Sequence, residues 1–182
     1  LGIIKESAPD ERRVAASPET VKRYTQNEIT VLVEKGAGDG AFFTDQAFKE
    51  AGANLVSQAD LLKKSDVVLC VQTPPAKILG TMKKGAHIVG GLQPFANESF
   101  IKDAAKAGVT LFAMDLMPRI TRAQSIDMLS SQSNLAGYKA VLDATEYYDR
   151  AFPMMMTAAG TVPPAKVFVM GAGVAGLQAI AT

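Results

Sequence analysis

Short apolar runs alternate with longer stretches of helical pattern along the first two thirds of the chain. Three of the apolar runs are almost continuous, as is typical of strands in a parallel sheet that is covered on both faces. The predicted strands lie at residues 2–4, 29–33, 67–71, 87–89 and 110–113. The predicted helices lie near residues 18–24, 45–51, 58–64 and 97–107. This alternation predicts an α/β domain with a Rossmann-like parallel sheet and helices on both faces.

The pattern changes after Met117, where a proline and a polar loop precede a long helical pattern. Leu135, Tyr138 and Leu142 recur at intervals of three and four residues, which places them on one face of a helix. The sequence therefore predicts a helix from about residue 123 to residue 148.

The end of the chain shows a strand-to-helix pattern around a glycine motif. Residues 167–170 are an apolar strand candidate and residues 177–181 open a helix. Between them, Gly171, Gly173 and Gly176 form G-x-G-x-x-G, the arrangement that lets backbone approach a dinucleotide pyrophosphate at a helix N-terminus. A glycine-rich turn without a ligand is the alternative. The motif alone does not distinguish NAD from NADP.

A breaker-rich linker separates the long helix from this motif. Residues 152–164 read FPMMMTAAGTVPP, which indicates a domain boundary. The predicted regions are an N-terminal α/β domain at 1–122, an interdomain helix and linker at 123–164, and the start of a second, dinucleotide-binding Rossmann domain at 165–182. Because one strand and a short helix cannot bury their own apolar faces, we expect a longer protein. These residues alone should bind a dinucleotide weakly.

Composition and charge exclude several classes of site. The formal net charge is +1, so nucleic acid is not an expected partner. The single cysteine, Cys70, and the single histidine, His87, exclude a disulfide framework and zinc sites built from several of these residues. We therefore predict no metal site. No apolar run reaches the length of about 18 residues that a membrane-spanning helix needs.

The segment between the two predicted domains is unusually polar. Thr121 and Gln124 fit the capping box T-x-x-Q, which is a sufficient structural explanation for both. Asp127, Ser130 and Asn134 are spaced to share one helix face. That face is either solvated or part of a polar pocket whose groups hold a nicotinamide carboxamide, and composition does not decide between the two.

The stretch MPRITRAQSIDMLSSQSNLAGYKAVLDA, together with VMGAGVAGLQAIAT, closely resembles the NAD(H)-binding domain of proton-translocating NAD(P) transhydrogenases. The resemblance covers essentially the whole chain. The opening, KESAPDERRVAASPETV, is shared more widely with the alanine dehydrogenases of the same superfamily.

The resemblance implies roles for individual residues. Gln124, Asp127 and Ser130 are implied to serve hydride transfer, with Gln124 helping to bring the nicotinamide of NAD(H) to that of NADP(H) on a partner domain. The implied NAD(H)-binding residues are Arg119, Ile120, Thr121, Gln124, Asp127, Ser130, Gly171, Gly173, Val174 and Gly176.

The same resemblance implies partners and a location. It implies direct hydride transfer between NAD(H) and NADP(H), coupled to proton translocation by a separate transmembrane domain. The NADP(H)-binding domain and the proton channel would be partners, and a homodimer is expected. The domain would be peripheral to a membrane, in the bacterial cytoplasm or the mitochondrial matrix.

Two alternatives remain. The first is a soluble alanine dehydrogenase, but Gln72 and Gln93 stand where that family, by our matching, has a basic residue and a histidine. Glutamine provides neither the charge for a substrate carboxylate nor the proton transfer that carbonyl reduction needs. Arg13 remains at a position where the dehydrogenases bind carboxylate, although a structural ion pair explains it better. The second alternative is a non-catalytic dinucleotide-binding module.

Overall fold

In the computed structural model, which describes residues 1–182, six short strands form one parallel sheet. They are β1 (Gly2–Ile3), β2 (Leu32–Glu34), β3 (Asn54–Val56), β4 (Val67–Gln72), β5 (His87–Gly91) and β6 (Thr110–Ala113). The order across the sheet is β3-β2-β1-β4-β5-β6. This is the strand order of Rossmann folds, so the predicted α/β class and parallel sheet are confirmed.

Five of the six strands overlap the predicted apolar runs, and β3 is the strand that the pattern missed. It is three residues long and begins with the exposed Asn54, and its two apolar residues are only half-buried. Such a short segment gives little periodic signal.

Four helices connect the strands of the sheet. They are α1 (Pro18–Gln26), α2 (Asp45–Glu50), α3 (Gln58–Lys64) and α4 (Glu98–Ala107). Ser17, Thr44 and Ser57 precede the first three, and each side-chain oxygen accepts a hydrogen bond from the backbone amide three residues later. These side chains satisfy amides that have no partner in the first turn of a helix, so they define where each helix begins.

Two hydrophobic clusters lie on opposite faces of the sheet, because successive strand residues point to opposite sides. Ile3 and Val33 pack in one cluster with Val21 of α1 and Phe48 of α2. Helices α1 and α2 therefore cover that face.

The neighbouring residues of the same strands build the other cluster. Leu32 and Val68 pack there with Leu61 of α3 and Phe100 of α4. Since α3 and α4 cover this face, the prediction of helices on both faces is confirmed.

The chain falls into two compact units, Leu1–Met117 and Pro118–Thr182. The sheet and α1–α4 belong to the first unit. The second contains a 3-10 segment (Thr121–Ile126), α5 (Met128–Tyr147), a hairpin of β7 (Met155–Thr157) and β8 (Gly160–Val162), and α6 (Val174–Ala181). No helix of the chain combines the length and hydrophobicity that crossing a bilayer requires.

Two local predictions for the second unit are wrong, those for the start of the long helix and for a strand at residues 167–170. The long helix begins at Met128 rather than near residue 123, because the preceding residues form the 3-10 segment and Asp127 caps the helix. The predicted linker contains the β7–β8 hairpin. Residues 167–170 form no strand, because no strand among residues 1–182 pairs with them. The side chains of Val167, Phe168 and Met170 are exposed.

Candidate functional site

The glycine motif forms a tight turn that opens directly into α6. Gly173 is the residue that caps α6, and Gly171 has a positive φ of 113°. A Cβ atom at Gly176 would lie 2.8 Å from the carbonyl carbon of Gly171 and closer still to its oxygen. Gly171 and Gly176 are therefore required by the fold of the turn itself.

Gly173 is not required by the fold of the turn. A Cβ atom there would meet no protein atom within 4 Å, and its φ of −80° is accessible to any residue. The chain thus leaves open space at the position where a dinucleotide-binding turn brings its backbone to a pyrophosphate. The first-turn amides of α6 also favour negative charge at this end of the helix.

This open space belongs to a pocket of about 310 Å³ within the second unit. Three polar side chains line it, those of Arg119, Ser130 and Ser133. The glycine turn supplies the remaining lining, which consists of Met170, Gly171, Gly173, Val174, Ala175 and Gly176. A cation, two hydroxyls and a helix N-terminus are the groups that a dinucleotide phosphate and ribose would need.

Asp127 and Ser130 form a fixed pair at the start of α5. The Ser130 amide donates to Asp127 Oδ1 at 2.9 Å, and the Ser130 hydroxyl donates to Asp127 Oδ2 at 2.6 Å. The hydrogen bonds from Ser130 hold the pKa of the Asp127 carboxyl below its ordinary value, and the positive charge of Arg119 acts in the same direction. The predicted capping box does not form, because Asp127 provides the cap.

Helix α5 contacts α6 directly beside the glycine turn. Gly137 is buried, and Ala175 lies against it. The Asn134 side chain donates from Nδ2 to Gln178 Oε1 at 2.9 Å. These two contacts hold α5, which carries Ser130 and Ser133, against α6, which begins at the glycine turn.

The structure brings some of the predicted site residues together in this pocket and leaves others outside its lining. Those that line it are Arg119, Ser130, Gly171, Gly173, Val174 and Gly176. Ile120, Thr121, Gln124 and Asp127 do not line it. The Gln124 side chain is exposed and makes no hydrogen bond within the chain. Ser133 was missed, although its three-residue spacing from Ser130 was a usable signal.

A second polar cluster lies in the first unit, where the chain leaves β1 and β4. Arg13 Nε and Nη2 donate to the two Glu11 carboxylate oxygens at 2.8 and 2.6 Å, and Gln72 Nε2 donates to the same carboxylate at 3.0 Å. The ion pair predicted for Arg13 is therefore present. These hydrogen bonds, led by that of Arg13, lower the pKa of Glu11 to about 2.

Glu6 and the Gln93 loop complete the polar edge of this sheet. The Glu6 carboxylate accepts the backbone amides of Val71 and Gln72, while its burial raises its pKa. The amide of Gln93, whose φ is 42°, donates to Asp115 Oδ2 at 3.0 Å. The two glutamines carry amides that do not titrate, so neither can act as an acid or base.

Cys70 is a buried thiol with no catalytic surroundings. Its side chain lies in β4 within the hydrophobic core, and its Sγ is 3.7 Å from the Val89 carbonyl oxygen. Burial raises the pKa of the thiol to about 12, so the nucleophilic thiolate does not form near neutral pH.

Comparison with known proteins identifies the family. Residues 2–136 match the family described as alanine dehydrogenase/PNT, N-terminal domain, and residues 140–182 match its C-terminal domain. The chain belongs to the alanine dehydrogenase/PNT family. The match to the C-terminal domain begins at residue 140, within α5, whereas the sequence predicts a second domain from residue 165.

Within this family, the chain is more similar to transhydrogenase subunits than to alanine dehydrogenases. It is 53% identical to the first portion of the NAD(P) transhydrogenase alpha subunit of Rhodospirillum rubrum, with 100% of this chain and 49% of that protein aligned. It is 32% identical to the alanine dehydrogenase of Mycobacterium tuberculosis, with 98% of this chain and 49% of that protein aligned. The chain thus spans about half the length of these relatives.

Solved structures show the same order of similarity. The transhydrogenase from Sinorhizobium meliloti superposes with a TM-score of 0.94 at 57% identity, over 99% of this chain and 54% of that one. An L-alanine dehydrogenase superposes with a TM-score of 0.83 at 26% identity, over 100% of this chain and 51% of that one. The resemblance to transhydrogenases that the sequence motifs indicate is confirmed.

Proposed function

We propose that this chain is part of the NAD(H)-binding component of a proton-translocating NAD(P) transhydrogenase, with a dinucleotide-binding domain that starts near residue 165. The observation that carries the proposal is the pocket at the N-terminus of α6, where Arg119 and Ser130 lie beside the glycine turn. The unobstructed approach to Gly173 fits a pyrophosphate, since nothing in the protein itself requires a glycine there.

NAD(H), when bound, supplies or accepts the hydride. The chain's own residues bind and orient the cofactor and exclude water, because hydride moving between two nicotinamides requires no proton transfer at the reacting carbons. The uncharged Gln72 and Gln93 are consistent with such a reaction. A carbonyl-reducing dehydrogenase needs a proton donor, which these side chains do not provide.

We assign roles to the predicted residues on this basis. Arg119, Val174 and the three glycines of the turn hold the dinucleotide phosphates. Asp127 and Ser130 face the nicotinamide end. The Ser130 hydroxyl already donates a hydrogen bond to Asp127, so it can only accept a hydrogen bond from a ligand. A carboxamide NH₂ or a ribose hydroxyl would be a suitable donor.

Gln124 is proposed to act at the meeting point of the two nicotinamides, and Ile120 and Thr121 to contact NAD(H) beside it. Because the Gln124 side chain is exposed and makes no hydrogen bond within the chain, its amide is available to a ligand or a partner domain. The proposed partners are an NADP(H)-binding domain, a transmembrane proton channel and a second copy of this component. The proposed location is the membrane surface facing the bacterial cytoplasm or the mitochondrial matrix.

The test is hydride transfer by the full-length protein mixed with an NADP(H)-loaded partner domain. Transfer from NADPH to an NAD analogue is followed spectrophotometrically, and L-alanine with NAD is assayed in parallel. We expect nucleotide-to-nucleotide transfer without alanine turnover. Alanine turnover without nucleotide exchange would establish the dehydrogenase alternative instead, and binding without either activity would establish a non-catalytic module.

The Gln124→Asn variant then tests the proposed role of that amide. The side chain is exposed and its shortening removes no hydrogen bond within the chain, so we expect unchanged stability, near-normal NADH binding and slower transfer. Gln46→Asn on α2, where the glutamine amide donates only to Glu50, is the matched control and should leave the transfer rate unchanged.

A further inference from the structure

Ser133 is the polar side chain of the α6 pocket that has no assigned task. It is half-buried, lines the pocket and makes no hydrogen bond within the chain. Ser130, the other hydroxyl, donates its proton to Asp127 at 2.6 Å. The pocket therefore offers two hydroxyls with different chemistry: Ser130 is limited to accepting, whereas Ser133 retains a free donor.

The position of Ser133 on α5 is well defined. It lies three residues after Ser130 and four residues before Gly137, and residues at these intervals share one helix face. Gly137 contacts Ala175 in the first turn of α6. Ser133 thus occupies the turn of α5 between the Asp127–Ser130 pair and the point of contact with α6, and it lines the pocket together with Val174 and Ala175.

We propose that the Ser133 hydroxyl donates a hydrogen bond to a pyrophosphate oxygen of the bound dinucleotide, which makes Ser133 a further cofactor-binding residue. Phosphate oxygens only accept hydrogen bonds, so they require a free donor, and Ser133 is the pocket hydroxyl that has one. Arg119 supplies positive charge and the first-turn amides of α6 supply further donors in the same pocket. This assignment rests on the proposed dinucleotide-binding function.

The experiment compares ligand binding by the full-length wild type and the Ser133→Ala variant. The probes are NADH, ADP-ribose, which has the pyrophosphate but no nicotinamide, and adenosine, which has no phosphate. Ser133→Ala should weaken NADH and ADP-ribose about tenfold, as expected for loss of one hydrogen bond to a charged group, and leave adenosine unchanged. Ser133→Thr keeps the hydroxyl and should retain wild-type affinity.

Ser131→Ala is the matched control on the same helix. Its hydroxyl donates to the Asp127 carbonyl oxygen at 3.0 Å and does not line the pocket, so all three affinities should stay unchanged. Wild-type affinities in Ser133→Ala would overturn the assignment while leaving the proposed function intact. An equal loss of affinity for adenosine in Ser133→Ala would show that Ser133 does not contact a phosphate, which would overturn the assignment. Failure of the wild type to bind NADH would overturn both proposals.

Discussion

The backbone of Ala175 in α6 lies directly against Gly137 in α5. A Cβ atom at Gly137 would be 3.0 Å from the Ala175 Cα and closer still to its carbonyl oxygen. Both atoms belong to helical backbone, which cannot yield as a flexible side chain would. Gly137 therefore sets the distance between the helix that carries Ser130 and the glycine turn.

We expect Gly137→Ala to lower both stability and NADH affinity. In an exposed helix the same change is favourable by about 1 kcal/mol. Here the overlap with Ala175 forces the helices apart, and overpacking of this kind costs roughly 1–3 kcal/mol. Thermal unfolding and NADH titration of the full-length variant measure the two effects.

Gly80→Ala is the control for this prediction. Gly80 is exposed, and a Cβ atom there would meet no atom within 4 Å. Neither the melting temperature nor the NADH affinity of the Gly80→Ala variant should fall. If Gly137→Ala behaves like Gly80→Ala, the close approach of α5 and α6 does not set the pocket geometry.

Substitutions of the second and third glycines of the motif should affect NADH binding and stability differently. Gly173→Ala adds a methyl group to the pocket without touching the protein, so we expect an unchanged melting temperature and at least about tenfold weaker NADH binding. Gly176→Ala would press against the Gly171 carbonyl, so it should lower the melting temperature by several degrees. Equal stability losses in both variants would contradict the distinction.

Asp127 is expected to have two separable roles, helix cap and cofactor contact. Asp127→Asn keeps an oxygen that can accept the Ser130 amide, so the melting temperature should stay close to that of the wild type. Asp127→Ala removes the cap and should lower the melting temperature by a few degrees. Both variants should transfer hydride more slowly, because both lack the carboxylate.

The control for Asp127 is a residue that acts only as a cap. Ser57 caps α3 by accepting the Asp60 amide, and it lies in the first unit. Ser57→Ala should lower the melting temperature without changing the transfer rate. If transfer in the Asp127 variants simply follows their melting temperatures, Asp127 has no role beyond capping.

The sequence predicted the features that depend on local periodicity or on a specific motif. The apolar runs of β4 and β5 and the turn Gly171–Gly176 are recognisable because burial on both faces, or a tight backbone approach, restricts the residue types. What it missed depends on tertiary partners. Residues 167–170 have the pattern of a strand, but no strand among residues 1–182 pairs with them. Thr121 and Gln124 match a capping pattern, but the residue that caps α5 is Asp127. The task of Ser133 depends on α6, over 40 residues later.

The pairing of Glu11 with Arg13 should make the stability of the first unit depend on pH. The Glu11 side chain is only 6% exposed, and its pKa is lowered from 4.5 to about 2. A carboxyl whose pKa is lower in the folded state stabilises it fully above the unfolded-state pKa, and the contribution disappears as pH falls through the folded-state value. Because the partner, Arg13, is 44% exposed, solvent screens the pair, and the contribution above about pH 5 is on the order of 1 kcal/mol.

We therefore expect Glu11→Gln to be clearly less stable than the wild type at pH 7, with a difference that shrinks as pH falls from about 4.5 toward 2. Thermal unfolding across this range measures the effect. Burial is the main cause of the raised pKa of Glu6, and Glu11→Gln leaves this cause in place, so most of the opposite contribution of Glu6 is common to the two proteins. Glu19→Gln is the control, because the Glu19 side chain that pairs with Arg23 is 76% exposed and such pairs contribute little. A difference between wild type and Glu11→Gln that stays constant with pH would show that the carboxylate charge is not what stabilises this loop.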